Sequence, residues 1–510
     1  MTHTRVEHRA AAVSLVTGLS IVLSVGFQLI SVPICLHFWG IERYGAWLTI
    51  FTASTMFRTV DGGFINFVGN RLNLLYHADH SALRSVLASS TVGVAILGVV
   101  QLGLVLIAVS VGRHGGLFGA VADMPGEEGR LGLVILVVVW IFSGSYLGIV
   151  HRLLIPSGLM YQAAWWSMGL QASLFFAVVI AALARMDLLG ASMLIGAVQA
   201  AVYLASAVYI RRRLPEFFPW WKHPDWRTGL ADLRGSSIFL LSGVFQQSAT
   251  SGVVLLISAK LGVGVLPAFT TVRTMANLWN NVTTTLTSPL LPDVIRYHAS
   301  QQTEKILSLT QAHAWLLGSV VNIGIVLAYP FLLVAYGYWT GGKLTLDMSL
   351  FAALLGAVAL ANAGALMNLY LSGINHARAV LWLAFLRAVL TLGVGWFAIS
   401  LGLSGIGLGI VIAEFACFTL VSVHFFPDAM QQVDGKRQWP RLQWAWVSLM
   451  CVLLFLFAAA IEGGFPRSAF GLSLLGMATA SWLGWRELDV EVRGRLLLLV
   501  ARYTRIGMKA

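Results

Sequence analysis

Long apolar stretches alternate with short polar loops along most of the sequence. A transmembrane helix needs about 20 consecutive, mainly apolar residues, and this pattern predicts fourteen spans. They cover approximately residues 11–38, 44–68, 87–111, 131–151, 158–183, 188–210, 236–258, 268–292, 311–336, 348–372, 379–400, 404–426, 442–461 and 468–485. We therefore expect an all-α polytopic membrane protein with about fourteen transmembrane helices.

Span eight departs from the apolar pattern, because its polar residues recur at helical spacing on one face. That face carries Arg273, Asn277, Asn280, Asn281, Thr284 and Ser288. An ionised group at the centre of a bilayer costs about 2.5–3.5 kcal/mol on insertion scales, so such a stripe does not face lipid. We expect the stripe to line a water-filled cavity between helices.

Weak internal similarity divides the spans into two halves. A shift of 222 residues aligns Gly40 with Gly262 and Thr49 with Thr271, and a shift of 215 aligns Gly158 with Gly373. Six spans in each half predict a parallel repeat with a pseudo-twofold axis along the membrane normal. The expected domains are a six-helix lobe (1–210), a cytoplasmic amphipathic connector (211–235), a second six-helix lobe (236–426), two extra spans (427–485) and a basic amphipathic tail (486–510).

Composition agrees with a membrane chain and gives its orientation. The sequence is 58% hydrophobic and 11% charged, whereas soluble domains carry about 25% charged residues. Of the 33 Lys and Arg residues, 23 fall in the loops and termini on one side, against 7 on the other. This bias predicts that both termini are cytoplasmic.

The net charge of +12 lies in loops between apolar spans. It is therefore interpreted as membrane orientation and not as nucleic-acid binding. Cys35, Cys417 and Cys451 lie inside apolar runs without metal-ligand spacing, so neither a disulfide, a metal site nor a cofactor is predicted. The connector and the tail mix basic and aromatic residues, which favours contact with anionic membrane lipids over docking of a partner protein.

Five Asp, Glu, Lys or Arg residues lie within the predicted spans: Arg58, Asp61, Arg273, Arg387 and Glu414. Arg58 and Asp61 stand three residues apart and could either neutralise each other or contact substrate. Glu414 could be the partner of Arg273 or a proton-titrating site. The sequence contains no G-x-S-x-G, H-E-x-x-H or P-loop motif, so an enzyme is not expected. Asp61 and Glu414 are then the candidates for coupling to a proton or sodium gradient.

A cavity with a cationic surplus and many amides suits an anionic, heavily hydroxylated solute, because guanidinium groups match phosphate geometry and amides bind sugar hydroxyls. Trp47, Trp279 and Tyr370 could stack on sugar rings, although a position near a span end favours an interfacial role for Trp47. The candidate substrate-binding residues are Arg58, Arg273, Arg387, Asn277, Asn280, Asn281, Gln246 and Gln247.

The sharpest motifs lie between residues 10 and 72. The first apolar run reaches a V-P step at Val32 and Pro33, and a turn and a D-G-G step follow at Gly40, Glu42, Tyr44, Gly45, Trp47, Asp61, Gly62 and Gly63. This hairpin resembles the first two helices of bacterial polysaccharide flippases of the Wzx type, in the multidrug/oligosaccharidyl-lipid/polysaccharide exporter superfamily. In that pattern the step is D-G-G or D-L-G.

The resemblance implies two six-helix lobes and two extra helices around a central cavity that opens alternately to each side. It also implies an undecaprenyl-diphosphate-linked oligosaccharide as substrate, flipped to the outer leaflet of the bacterial inner membrane for exopolysaccharide or lipopolysaccharide assembly, with polymerase machinery as a partner. Related lipid II flippases use arginines on spans one and eight for the diphosphate. Arg273 matches span eight, whereas span one has Gln28 as its mid-helix polar residue, which favours a surface-polysaccharide repeat unit over lipid II.

Two alternatives remain open from the sequence. An antiporter of drug-like cations from the same superfamily would need an acidic cavity, whereas the intramembrane charges here sum to a positive value. A membrane-embedded polysaccharide polymerase or ligase would generally need a large outward loop, and the longest predicted one, residues 111–130, is short.

Overall fold

The computed structural model describes residues 23, 25–76, 78–111, 126–374, 376–435, 440–488, 490 and 493–494. Over these residues the secondary structure is helical and contains no β-strand. The start of predicted span one, most of the predicted tail and most of the 111–130 loop lie outside the described residues.

The chain forms two compact units, and the first extends to Thr271 and also includes Trp339–Leu344. Its long helices correspond to predicted spans one to seven, and span eight begins in it. The helices are α1 (Val25–Phe38), α2 (Gly40–Arg58), α3 (Gly62–Tyr76), α4 (His80–Val111), α5 (Gly126–Val139), α6 (Tyr146–His151), α7 (Met160–Leu183), α8 (Leu188–Arg213), α9 (Trp226–Gly235), α10 (Ser237–Gln247), α11 (Val253–Leu261) and α12 (Leu266–Thr287), which continues into the second unit.

The second unit comprises Val272–Tyr338 and the chain from Thr345 onward. It contains the predicted spans nine to fourteen and the larger part of span eight. After α12 its helices are α13 (Leu291–Ala299), α14 (Thr303–Leu316), α15 (Ile323–Thr340), α16 (Met348–Ala363), α17 (Ala365–Gly373), α18 (Ala377–Phe397), α19 (Leu403–Leu420), α20 (Phe426–Asp434), α21 (Gln443–Glu462) and α22 (Arg467–Glu487).

The expected fold class is confirmed. Among the described residues, nine helices are long and apolar enough to cross a membrane, and α16 with α17 forms a further candidate span bent by 50°. Large apolar side chains on these helices are exposed, such as Phe142 at 82% and Phe397 at 85%. Exposure of this kind is costly in water but natural for a surface that faces lipid. The chain is therefore an all-α polytopic membrane protein, whereas the predicted domain boundaries stay a prediction.

Four spans of the described chain contain a π-helical turn. These turns are Trp140–Ser145, Ser248–Gly252, Leu317–Asn322 and Val421–Phe425. A π turn places one extra residue in the helix, which re-aims the side chains after it and is frequent at functional sites. Each of these spans is a single apolar run in the sequence. In the structure, the residues after the π turn point in directions that a regular α-helix would not give them.

Within the second unit, the two extra spans, α21 and α22, are hydrogen-bonded to the end of α14 and to the π turn that follows it. Ser448 Oγ on α21 donates to the Gly318 carbonyl at 3.0 Å and accepts from Asn322 Nδ2 at 3.3 Å. On α22, the Ser481 carbonyl accepts from Trp315 Nε1 at 2.8 Å. Lipid is as apolar as a leucine side chain, so hydrogen bonds of this kind are among the forces that associate helices in a membrane.

The connector after α8 is folded against the first unit. Asp225 caps α9 by accepting from the Thr228 hydroxyl and from the backbone N–H groups of Arg227 and Thr228, and these bonds hold the pKa of Asp225 below its ordinary value. Its own N–H donates to Ser89 Oγ on α4 at 2.9 Å. Asp232, which is buried, pairs with Arg71 on α3. The connector is thus bonded to two spans of its unit.

A close backbone approach joins α3 to α10 within the first unit. A Cβ atom added at Gly63 would lie 2.5 Å from the Leu240 nitrogen and 2.6 Å from the Phe239 carbonyl carbon. At the neighbouring Gly62 a Cβ would have no atom within 4 Å. Two adjacent glycines therefore stand in opposite environments, and only Gly63 is needed for packing.

We predict that Gly63→Ala destabilises the folded protein by about 1–3 kcal/mol, because the methyl group overlaps rigid backbone. The effect is measured as a lower thermal unfolding temperature of the purified protein in detergent. Gly62→Ala is the matched control and should leave that temperature unchanged. Equal unfolding temperatures for the two variants would contradict the α3–α10 contact.

Candidate functional site

Arg58 and Asp61 meet the same indole ring in the first unit. A short 3₁₀ turn, Thr59–Asp61, separates α2 from α3. The Arg58 guanidinium lies 4.1 Å from the centre of the Trp140 ring, and Trp140 Nε1 donates to Asp61 Oδ2 at 3.0 Å. Cation–π attraction and a hydrogen bond thus give each charge a partner inside the bilayer.

The Asp61 carboxylate is buried with part of its hydrogen-bonding capacity unused. Its exposure is 0%, and the side chains of Gln101 on α4 and Ser145 in the π turn face it. Asp61 Oδ1, both polar atoms of Gln101 and Ser145 Oγ form no regular hydrogen bond in the described structure, although the Gln101 and Ser145 side chains lie close to the Asp61 carboxylate. A buried polar group without a partner is costly, so this oxygen-rich cluster is suited to accept a proton or a small cation.

The cluster extends toward α8 and α10. The Tyr203 ring on α8 packs edge-on against Trp140, with ring centres 5.9 Å apart. On α10, the backbone at Gly243 lies close to Thr59, next to the 3₁₀ turn that holds Asp61. The predicted Gln246 is exposed, and Gln247 donates to Ser251 Oγ. The first unit therefore contains four of the predicted site residues: Arg58, Asp61, Gln246 and Gln247.

Arg387 and Glu414 form a bidentate ion pair in the second unit. Arg387 Nε on α18 donates to Glu414 Oε1 on α19 at 2.7 Å, and Arg387 Nη2 donates to Oε2 at 3.0 Å. Both carboxylate oxygens are therefore occupied. The partner of Glu414 in the structure is Arg387, so of the two alternatives left open by the sequence, pairing of Glu414 with Arg273 is not the one observed. Arg387 as a substrate contact and Glu414 as an ion-coupling group stay predictions, and either role would require this pair to open.

The polar stripe of α12 also lies in the second unit. Arg273, Asn277, Asn280 and Asn281 are half-buried, whereas residues such as Val272, Met275 and Ala276 on the remaining surface are buried. Asn280 Nδ2 donates to Asn277 Oδ1 at 3.2 Å, as expected for neighbours three residues apart on a helix. The predicted alignment of these groups on one helical face is thus present.

Two of the three aromatic residues that could stack on sugar rings are buried in the structure. Tyr370 is 1% exposed and its hydroxyl is hydrogen-bonded to His298 Nδ1 at 2.9 Å. Trp47 is 3% exposed and packs against Trp39 and Phe51. Neither ring presents a face to a solute, so both are corrected to packing residues. Trp279 is half-buried, with its ring close to Gly324.

Sequence reasoning missed four residues around Asp61, namely Gln101, Trp140, Ser145 and Tyr203. Gln101 is a lone amide in an otherwise apolar span, a signal that could have been used. Trp140 and Tyr203 have no comparable signal, because aromatic residues in membrane helices most often pack or mark interfaces.

We predict that Trp140→Phe lowers stability by about 1–3 kcal/mol, since it leaves a buried carboxylate oxygen without a donor while keeping an aromatic ring beside Arg58. The measurement is thermal unfolding in detergent. Trp165→Phe, at an exposed position of α7, is the control. A Trp140 variant no less stable than the control would show that the indole N–H does not hold Asp61.

A second prediction concerns the pair on α18 and α19. Arg387→Gln should lower stability by about 1–3 kcal/mol because it leaves a half-buried carboxylate uncompensated, whereas the double variant Arg387→Gln, Glu414→Gln should recover most of the loss. Arg296→Gln removes the exposed partner of Asp293 and should cost about 1 kcal/mol or less. Additive single effects in a double-mutant cycle would refute a coupled pair.

Comparisons with known proteins agree with this architecture. No family model and no curated protein sequence matches the chain. Among solved structures, the inward-facing conformation of a multidrug resistance MATE family transporter of the MOP superfamily has a TM-score of 0.59 at 16% identity, over 81% of this chain and 95% of that one. A MATE structure in complex with MaL6 has a TM-score of 0.56 at 16% identity, over 84% and 97%.

The lipid II flippase MurJ, in an inward closed conformation, has a TM-score of 0.61 at 11% identity, over 92% of this chain and 97% of that chain. Both kinds of neighbour are transporters or flippases, and the likeness extends over most of each chain. At these identities the likeness establishes the fold. The chain therefore has the fold that MATE transporters of the MOP superfamily share with the lipid II flippase MurJ, as the resemblance of its first hairpin implied.

Proposed function

We propose that the protein is a flippase for a polyprenyl-diphosphate-linked oligosaccharide, moving a repeat unit of a surface polysaccharide from the inner to the outer leaflet of a bacterial cytoplasmic membrane. Both termini would lie on the cytoplasmic side. The observation that carries the proposal is the half-buried face of α12, where Arg273 stands in line with Asn277, Asn280 and Asn281. A guanidinium followed by amides offers donors to a diphosphate and then to sugar hydroxyls.

The charges within the spans support an anionic substrate. Arg387 and Glu414 neutralise each other in the second unit, and Arg58 and Asp61 share Trp140 in the first. Together with Arg273, these four charged groups sum to one positive charge. A fold that is also found in a lipid II flippase agrees with this substrate class.

Energy for transport would come from an ion gradient working by alternating access, since the sequence carries no ATP-binding motif. Asp61 is the better-suited coupling group, because one of its buried oxygens has no partner among the described residues. Glu414 would have to release Arg387 before it could bind a proton.

A cation or drug antiporter is the second candidate. The same buried carboxylate in the first unit favours it, since an acidic group can exchange a proton for an organic cation, and the MATE structures share the fold. The two functions differ in cargo. An antiporter would lower the accumulation of cationic dyes in cells, whereas a flippase would leave it unchanged and change the distribution of lipid-linked glycan.

We predict that Arg273→Ala abolishes surface polysaccharide and leaves lipid-linked units on the cytoplasmic leaflet, because the diphosphate loses its cationic contact. Arg273→Lys should retain part of the activity, since it keeps the charge but not the bidentate geometry. The measurement is translocation of a labelled lipid-linked oligosaccharide in proteoliposomes containing equal amounts of each variant.

The control is Arg296→Ala, which removes an exposed guanidinium from α13. It should translocate at the wild-type rate. Normal translocation by Arg273→Ala would show that Arg273 does not bind the diphosphate. Export of cationic dyes by a wild-type protein that moves no glycolipid would favour the antiporter.

A further inference from the structure

A separate cleft lies inside the first unit, where the end of α6 and the start of α7 face α8. Its volume is about 430 Å³, which is within the usual range of about 300–1,000 Å³ for small-molecule sites. Its polar and aromatic lining consists of His151, Arg152, Trp166, Ser167, Tyr203 and Ser206. Of these residues, Tyr203 also packs against Trp140 of the Asp61 cluster.

Residues of α3 position the Arg152 side chain in the cleft, and no acidic side chain of the described residues pairs with it. Its Nη2 donates to the Asn66 amide oxygen, and its stem lies against Gly69, where an added Cβ would be 2.9 Å from Arg152 Cγ. The ion pairs formed within the described part of the chain do not include Arg152. A guanidinium carries five N–H donors, so this one is positioned with donors left for an anionic ligand.

The walls of the cleft indicate what else the ligand carries. Trp166 and Tyr203 offer aromatic surface beside small residues such as Ala163 and Ala164. Met160, at the margin of the cleft and at the start of α7, is 49% exposed. An apolar margin on a membrane-facing helix lets an acyl or prenyl tail leave the cleft into lipid. A soluble phosphate compound has no apolar tail that could contact this margin.

The cleft also adjoins the buried carboxylate. Tyr203 lines the cleft and packs on Trp140, and Trp140 donates to Asp61. A ligand that moves the Tyr203 ring therefore acts on the indole that holds Asp61.

We propose that this cleft binds the phosphorylated headgroup of a polyprenyl carrier lipid, with Arg152 donating to the phosphate and the prenyl chain leaving past Met160. The inference rests on the proposed flippase function and adds to it a second phosphate-binding site, located in the other unit from Arg273. On the predicted topology Arg152 lies at the cytoplasmic end of its span, the level at which the headgroup of an inner-leaflet lipid would be found.

The test uses the full-length protein in nanodiscs of zwitterionic phosphatidylcholine, with undecaprenyl phosphate as the probe and its affinity measured by native mass spectrometry. Arg152→Gln should weaken binding at least tenfold. Gly69→Ala should weaken it as well, because the new methyl group displaces the Arg152 stem, and Ala164→Phe should fill the cleft without changing Arg152. Arg43→Gln removes an exposed charge elsewhere in the same unit and should bind like the wild type.

Two further ligands identify the source of the phosphate. Phosphatidylglycerol and inorganic pyrophosphate should both bind at least tenfold more weakly than undecaprenyl phosphate. Equal, Arg152-dependent binding of phosphatidylglycerol would overturn the proposal in favour of a general anionic-lipid site, and equal binding of pyrophosphate would overturn it in favour of a soluble ligand. If Arg152→Gln does not fold, Arg152→Lys and Ala164→Phe decide, and wild-type affinity in both would overturn the proposal.

Translocation assays separate this inference from the proposed function. Arg152-dependent binding of the carrier by a wild-type protein that moves no lipid-linked oligosaccharide would leave the cleft assignment standing and refute the flippase. Normal translocation together with unchanged binding in Arg152→Gln would refute the cleft assignment and leave the flippase standing.

Discussion

The absence of water in the bilayer core is the constraint on which the two charged clusters depend. A charge there must find a partner within the protein. The two units meet this requirement differently. In the second unit a guanidinium fork occupies both oxygens of Glu414. In the first unit a single indole serves Arg58 through its ring face and Asp61 through its N–H.

The difference has consequences for function. The pair of Arg387 and Glu414 is closed, since protonating the carboxylate would leave the arginine unpaired in a place where its desolvation is costly. The Asp61 cluster is less tightly bonded, because Asp61 Oδ1 and the neighbouring Gln101 and Ser145 atoms form no regular hydrogen bond. A group that is to gain and lose a proton or cation during transport needs unused hydrogen-bonding capacity. On the proposed function, ion coupling is therefore assigned to the first unit and contact with an anionic substrate to the α12 stripe in the second.

The sequence predicted the fold well, because apolar run length and helical periodicity are properties of local sequence. The fourteen predicted spans fall on helices wherever the chain is described, and the residues of the α12 stripe share one face. The contacts of the site were less predictable. Glu414 stands 27 residues from Arg387, and only the packing of α18 on α19 brings them together. Trp140 and Ser145 face Asp61 from a π turn, where the helical phase that a sequence pattern assumes no longer holds.

Arg152 was not identified as a candidate binding residue from the sequence for a different reason. A basic residue at the end of a predicted span ordinarily indicates membrane orientation. Arg152 was therefore counted as a loop residue and was not considered as a ligand-binding side chain. Its side chain is positioned by Gly69 and Asn66 on α3, which lie more than eighty residues earlier in the sequence. Neither has a meaning in the sequence until the two spans are placed side by side.

The D-G-G step shows how packing and chemistry can be joined in three residues. Asp61 supplies the buried carboxylate, while Gly63 allows the backbone of α10 to approach α3 at a distance that no side chain would permit. Gly62 faces open space, so this position has room for a larger side chain. The first and third positions are therefore the constrained ones. Gly63 lets α10 pack against the start of α3, two residues after Asp61, so the motif places a helix contact beside the proposed coupling site.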